Sequence, residues 1–245
     1  MAPTIHLVRH AQGYHNLSVE NEVIRDPDLT ELGLQQCKEL REAFIHHDKL
    51  TRLVASPLRR TVYTAIHAFG EDKLYPITAL DLLQEVSTSP CDTGSAKEKL
   101  DEEFGNKLEV RGVDPAWTDK TADSKFEPTL EKLTARALEV RRVLRDLAGD
   151  GDDHIVATSH GGFLHFLTDD WFGIPSGHAT GWNNCEYRSY QFVDPTGKDE
   201  DAALQETPES WRRRQGLRVA PTRTEQKEMR AAVQKSVAPY LHISA

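Results

Sequence analysis

Arg9 and His10 stand side by side where an apolar run, TIHLV, gives way to a short polar stretch, AQGYHN. A second apolar run closes at Ser56 and continues into SPLRRT, which holds Arg59 and Arg60. A third ends in TSHGG, which holds His160. In an open α/β sheet, ligands bind in the crevice beyond the carboxyl ends of the strands. If these three runs are strands of one sheet, two histidines and at least two arginines meet around one crevice. The natural guest of such a cationic site is a phosphoryl group, whose oxygens accept paired hydrogen bonds from guanidinium groups.

The elements that must position these residues follow from spacing. TIHLVRH is rich in β-branched and apolar residues and reads as a first strand. DLTELGLQQCKELREAFIHHDKL reads as a helix with Thr30 as N-cap and an apolar stripe of Leu34, Cys37, Leu40, Phe44 and Ile45. TRLVASP is a short strand, RRTVYTAIHAFG a helix ending at Gly70, and ITALDLLQE a third strand. TLEKLTARALEVRRVLRDLAGD is a long helix with Leu130, Leu133, Ala137, Val140, Leu144 and Leu147 on one face. HIVATSHGG is a buried strand, FLHFLTDDWFG a helix and EYRSYQFV a closing strand. Strands alternating with helices predict an α/β three-layer sandwich, a mainly parallel central sheet with helices on both faces. Residues 87–127 break the alternation and read as an insertion. Residues 194–210 read as a linker, and 222–240 as a C-terminal helical tail. The whole chain, 1–245, is expected to form a single domain.

The 245 residues carry a net charge of -9, which argues against a nucleic-acid partner but not against a local cationic pocket. Cys37, Cys91 and Cys185 form no closely spaced pair, which argues against a disulfide framework or a zinc site. No segment reads as a signal peptide or a membrane span, so a cytoplasmic protein is expected. The GDGDD run lacks the spacing of a calcium loop and reads as a solvated turn.

Taken together, four motifs resemble the histidine phosphatase superfamily, the phosphoglycerate mutase-like proteins. LVRHAQGYHN is similar to the family's Arg-His-Gly signature, with Ala11 where the family has Gly. SPLRRTVYTA, LLQE and TSHGG match its later motifs in the family's order. The resemblance implies a metal-independent phosphatase, needing no cofactor, that acts on a small phosphorylated metabolite. It implies His10 as nucleophile, forming phosphohistidine. Arg9, Arg60 and His160 would hold the phosphoryl oxygens, and Glu85 would be the acid, with Asp92 as its rival. Asn16 would donate to the substrate, and Gln12, Gly13 and Gly161 would complete the substrate site. A mutase returning the phosphoryl group to a second hydroxyl is the close alternative. A non-catalytic phosphoryl-binding protein is a third reading.

The remaining candidates have plainer expectations. His6 reads as a packing residue and Arg59 as a solvated neighbour of Arg60. His15, His165 and His178 are possible pocket residues. Trp182, Asn183 and Asn184 either touch substrate or shape a turn.

Overall fold

The computed structural model describes residues 2–149, 151–194 and 196–241. Its centre is one seven-stranded sheet. The strands are β1 (Thr4–Arg9), β2 (Leu50–Ala55), β3 (Ile77–Ala79), β4 (Leu108–Glu109), β5 (His154–Ser159), β6 (Tyr187–Phe192) and β7 (Leu204–Glu206). They lie in the order β4-β3-β2-β5-β1-β6-β7. The ladders from β4 to β1 are parallel, and β6 and β7 join antiparallel. The sheet is thus mixed but mainly parallel. Helices α1 (Glu31–Ala43), α2 (Arg59–Phe69), α3 (Lys97–Phe104), α4 (Leu130–Ala148), α5 (Gly161–Thr168), α6 (Pro208–Gln215) and α7 (Arg223–Leu241) complete the α/β architecture.

The apolar runs form β1 and β5 because both faces of these strands are covered. Ile5, Leu7, Val8, Ile155, Val156 and Ala157 have no exposed surface, as expected of central parallel strands. Their register pairs Arg9 with Ser159, so the two strands end level and deliver His10 and His160 to the same edge. Thr30 caps α1 by accepting from the Gly33 amide, as its residue type predicts. His6 is fully buried and bonds Ser189 and His154 at 2.9 Å each, a packing role.

Several boundaries differ from the sequence reading, each for a local reason. α1 stops at Ala43; Phe44 turns into the core as the C-cap residue while Leu34 and Ile45 stay exposed. β3 ends at Ala79, and a 3₁₀ turn over Asp81–Leu83 follows in place of further strand. The Asp81 carboxylate stabilises that turn by accepting from the Asp114 amide at 2.8 Å. α5 ends at Thr168 because Asp169 adopts a left-handed φ of 54°. Residues 87–127 are not plain insertion: they supply α3 and the edge strand β4. Residues 194–210 are not a linker: β7 and the start of α6 fall there. Pro195 and, in the GDGDD run, Asp150 lie outside the described residues.

Candidate active site

β1 brings Arg9 and His10 to the rim of the sheet. The His10 amide donates to the Ser159 carbonyl at 2.9 Å, and the Ala11 amide donates to Thr64 Oγ1 at 3.0 Å. Ala11 does not need the positive φ that favours glycine, so the departure from the motif leaves the turn intact. His10 Nδ1 lies 2.7 Å from the Ala11 carbonyl oxygen. A carbonyl only accepts, so Nδ1 carries the proton and Nε2 keeps its lone pair. Burial, then the charges of Arg60 and its neighbours, hold the His10 pKa well below the ordinary histidine value. The ring is therefore neutral. The loop before β6 braces this strand end: Asn184 Nδ2 donates to the His10 carbonyl at 2.9 Å, and Arg9 donates to the Trp182 carbonyl.

α2 starts at Arg59 and carries Arg60 inward. Arg60 donates from Nη1 to the Cys91 carbonyl at 2.6 Å, and from Nη2 to Asp92 Oδ1 at 2.9 Å and His160 Nδ1 at 3.0 Å. His160 thus accepts at Nδ1 and donates from Nε2 to Ser56 Oγ at 2.9 Å. Burial is the main cause that keeps it neutral. Nε of both Arg9 and Arg60 is buried without a partner among the described residues. Arg59 turns away to pair with Asp28 and Glu103.

Glu85 follows the 3₁₀ turn and reaches the first turn of α5. Its carboxylate accepts from the amides of Gly162 at 3.1 Å, Phe163 at 2.9 Å and Val86 at 3.0 Å. These bonds favour the ionised form, yet burial and the neighbouring Asp92 carboxylate outweigh them and raise its pKa. Asp92 is fully engaged by Arg60 and by Ser87 Oγ. Lys120 supplies the clamp. Its Nζ donates to the carbonyls of Glu85, Ser87 and Asp92 at 3.2, 2.8 and 2.7 Å. Burial depresses its pKa to about 8.

Arg9, His10, Asn16, Arg60, Glu85 and Gly161 line one pocket of about 150 Å³, together with His15, Glu22, Asp92 and Thr180. The rings of His10 and His160 are 5.2 Å apart. Asn16 also spends Nδ2 on His15 Nε2 at 3.0 Å and Oδ1 on the Gly13 amide at 3.1 Å. Gln12 and Gly13 are not part of the pocket wall. Gln12 accepts from Thr30 Oγ1 at 2.8 Å, and Gly13 bridges to Leu29, so both shape the turn. His165 is buried behind the pocket on Asp170 and Thr180, and His178 is exposed. A larger groove, about 570 Å³ between α4 and α7, contains none of the motif residues.

The family model described as histidine phosphatase superfamily (branch 1) matches residues 5–205. The chain belongs to the histidine phosphatase superfamily. It is 28% identical to an Arabidopsis thaliana phosphoglycerate mutase-like protein, over 82% of this chain and 88% of that protein. Two solved structures share the fold. Bacillus stearothermophilus YhfR aligns with a TM-score of 0.54 at 21% identity, covering 84% of this chain and 96% of its own. A mycobacterial glucosyl-3-phosphoglycerate phosphatase aligns at 0.52 and 18% identity, covering 84% and 97%.

Sequence reasoning missed two residues of this histidine phosphatase site, Lys120 behind the pocket wall and Glu22 in it. Lys120, in a polar stretch, reads as solvated because lysine is almost never fully buried. Glu22 lies in a short segment without periodicity. Of the candidates Trp182, Asn183 and Asn184, Asn184 braces the His10 carbonyl without lining the pocket. No sequence signal marks Lys120 or Glu22; only the folded backbone brings them to the site.

Proposed function

We propose that the protein is a phosphomonoester hydrolase that works through a phosphohistidine on His10. The observation that carries this reading is the His10 hydrogen bond to the Ala11 carbonyl, which leaves an unprotonated Nε2 on a neutral ring that lines the pocket. In the first half-reaction, the Nε2 lone pair forms the N–P bond as the P–O bond to the alcohol breaks. Glu85, protonated at the start, gives its proton to the departing oxygen. Arg9 and Arg60, with spare donors at Nε, stabilise the charge gathered on the phosphoryl oxygens. His160, buried behind the pocket wall, aligns Arg60 by accepting from its Nη2 at Nδ1 while donating from Nε2 to Ser56 Oγ. In the second half, the Glu85 carboxylate takes a proton from water as the oxygen attacks phosphorus. The N–P bond breaks, its electrons return to Nε2, and inorganic phosphate leaves. The mycobacterial neighbour named as a phosphatase is consistent with hydrolysis.

The test is direct. His10→Ala should abolish turnover of p-nitrophenyl phosphate, and brief reaction of the wild type should trap an acid-labile, base-stable phosphoenzyme. Turnover should persist after chelation and be inhibited by vanadate. Substantial activity in His10→Ala would overturn the covalent route.

A further inference from the structure

The charges of the described residues around the pocket are matched to one phosphoryl group. Among the described residues, Arg9 and Arg60 are the only arginines or lysines that line it. The Lys120 ammonium behind the wall has three hydrogens and donates to three carbonyls, so it is spent. His160 is neutral because its Nδ1 accepts from Arg60, and burial beside the arginines disfavours the charged form of His10 and His15. Of the three acidic residues in the wall, Glu85 is held by backbone amides and Asp92 by Arg60 and Ser87. Glu22 differs: its carboxylate has no hydrogen bond or ion pair among the described residues, although it lines the pocket. It projects from the 3₁₀ turn over Val19–Val23 and lies near Cys91. The rest of the wall beyond the arginines includes Ser87, Ser89, Ala179 and Tyr240, which are neutral.

A bound phosphoryl dianion uses both arginines. A second anion on the alcohol portion then finds no further arginine or lysine among the described lining residues and meets the free carboxylate of Glu22. Discrimination by an unpaired like charge acts against the wrong substrate rather than for the right one. We propose that the site selects phosphomonoesters whose alcohol portion bears no anionic group, and that Glu22 is the residue that rejects one. This deepens the hydrolase reading above and rests on it.

Glycerol 3-phosphate and 3-phosphoglycerate have the same carbon skeleton and differ by one carboxylate. Each is to be measured as a competitor of p-nitrophenyl phosphate turnover, which yields a ratio of inhibition constants even if neither is a good substrate. In the wild type, glycerol 3-phosphate should bind at least ~10-fold more tightly. Glu22→Gln should narrow the ratio and Glu22→Lys should invert it. Equal competition by the two esters in the wild type, or a ratio that Glu22→Lys leaves unmoved, overturns the proposal. Because the wild-type ratio decides by itself, a variant that fails to fold does not protect the idea. Absence of p-nitrophenyl phosphate turnover and of a phosphoenzyme is a different result, and overturns the hydrolase reading instead.

Discussion

At the scale of single residues, the site separates two carboxylates that sit close together in the chain. Glu85 is held by amides and carries a raised pKa, while Asp92 is spent on Arg60 and Ser87. Glu85→Gln should therefore slow the hydrolysis of alkyl phosphates by roughly 10²–10⁴-fold, the usual worth of general acid catalysis. It should slow p-nitrophenyl phosphate far less, because that leaving group departs as a stable anion. Asp92→Asn should instead raise KM for both esters, since it loosens Arg60, and steady-state kinetics on the pair of esters separates the two outcomes. Lys120 acts at one remove, as a positioning residue. Lys120→Met orphans three buried carbonyls, so stability should fall by at least about 1 kcal/mol in denaturant melts. Displacing Glu85 should also cost the alkyl ester on the order of 10²-fold in rate.

At the scale of elements, the start of α5 is where the acid and the second histidine are joined. His160 is the N-cap residue of that helix, and the next turn supplies the amides of Gly162 and Phe163 to Glu85. Glycine at 162 leaves room for Glu85: an added Cβ would lie 2.7 Å from Glu85 Oε1 and 2.8 Å from Leu241 Cδ2, so the carboxylate would have to shift. Gly162→Ala should therefore reproduce the Glu85→Gln signature, slow on alkyl and nearly normal on aryl phosphate, in a protein that still unfolds cooperatively. This junction was partly legible in the sequence. The HIVATS run gave β5 its length, because a strand buried on both faces is written in continuous apolar residues. Glu85 could be placed only by resemblance, since its own segment reads as strand and folds as a 3₁₀ turn. β4 and β7 were illegible for another reason. Two and three residues long, they hold no repeat of any period, and the partner strand decides whether they pair. Lys120 was hidden by its type, since nothing local says that three carbonyls will converge on its ammonium.

At the scale of the whole molecule, burial of neutral histidines ties stability to pH. Desolvation lowers the folded-state pKa of His6, His10 and His160 well below the ordinary value, and brings His165 to about 3. Below about pH 6.5 the unfolded chain binds protons that the folded chain refuses. Stability is thus full above that pH and is lost as pH falls, by up to ~1.4 kcal/mol per unit for each such histidine. The carboxyl groups with raised pKa, Glu85, Asp26, Asp81 and Asp169, act in the opposite sense and offset part of the loss. Thermal melts between pH 7.5 and 5.5 should show a falling midpoint, and a rising one would contradict this balance. The pocket also spans the chain. Arg9 comes from the first strand, whereas Tyr240 and Leu241 come from the end of the last helix. During translation at roughly 5–20 residues per second, ~10–50 s separate their emergence. A nascent chain therefore holds His10 long before the wall beside it exists. A chain cut between α5 and α7 carries all four motifs yet lacks Tyr240 and Leu241, so its pocket is open on the side that α7 walls.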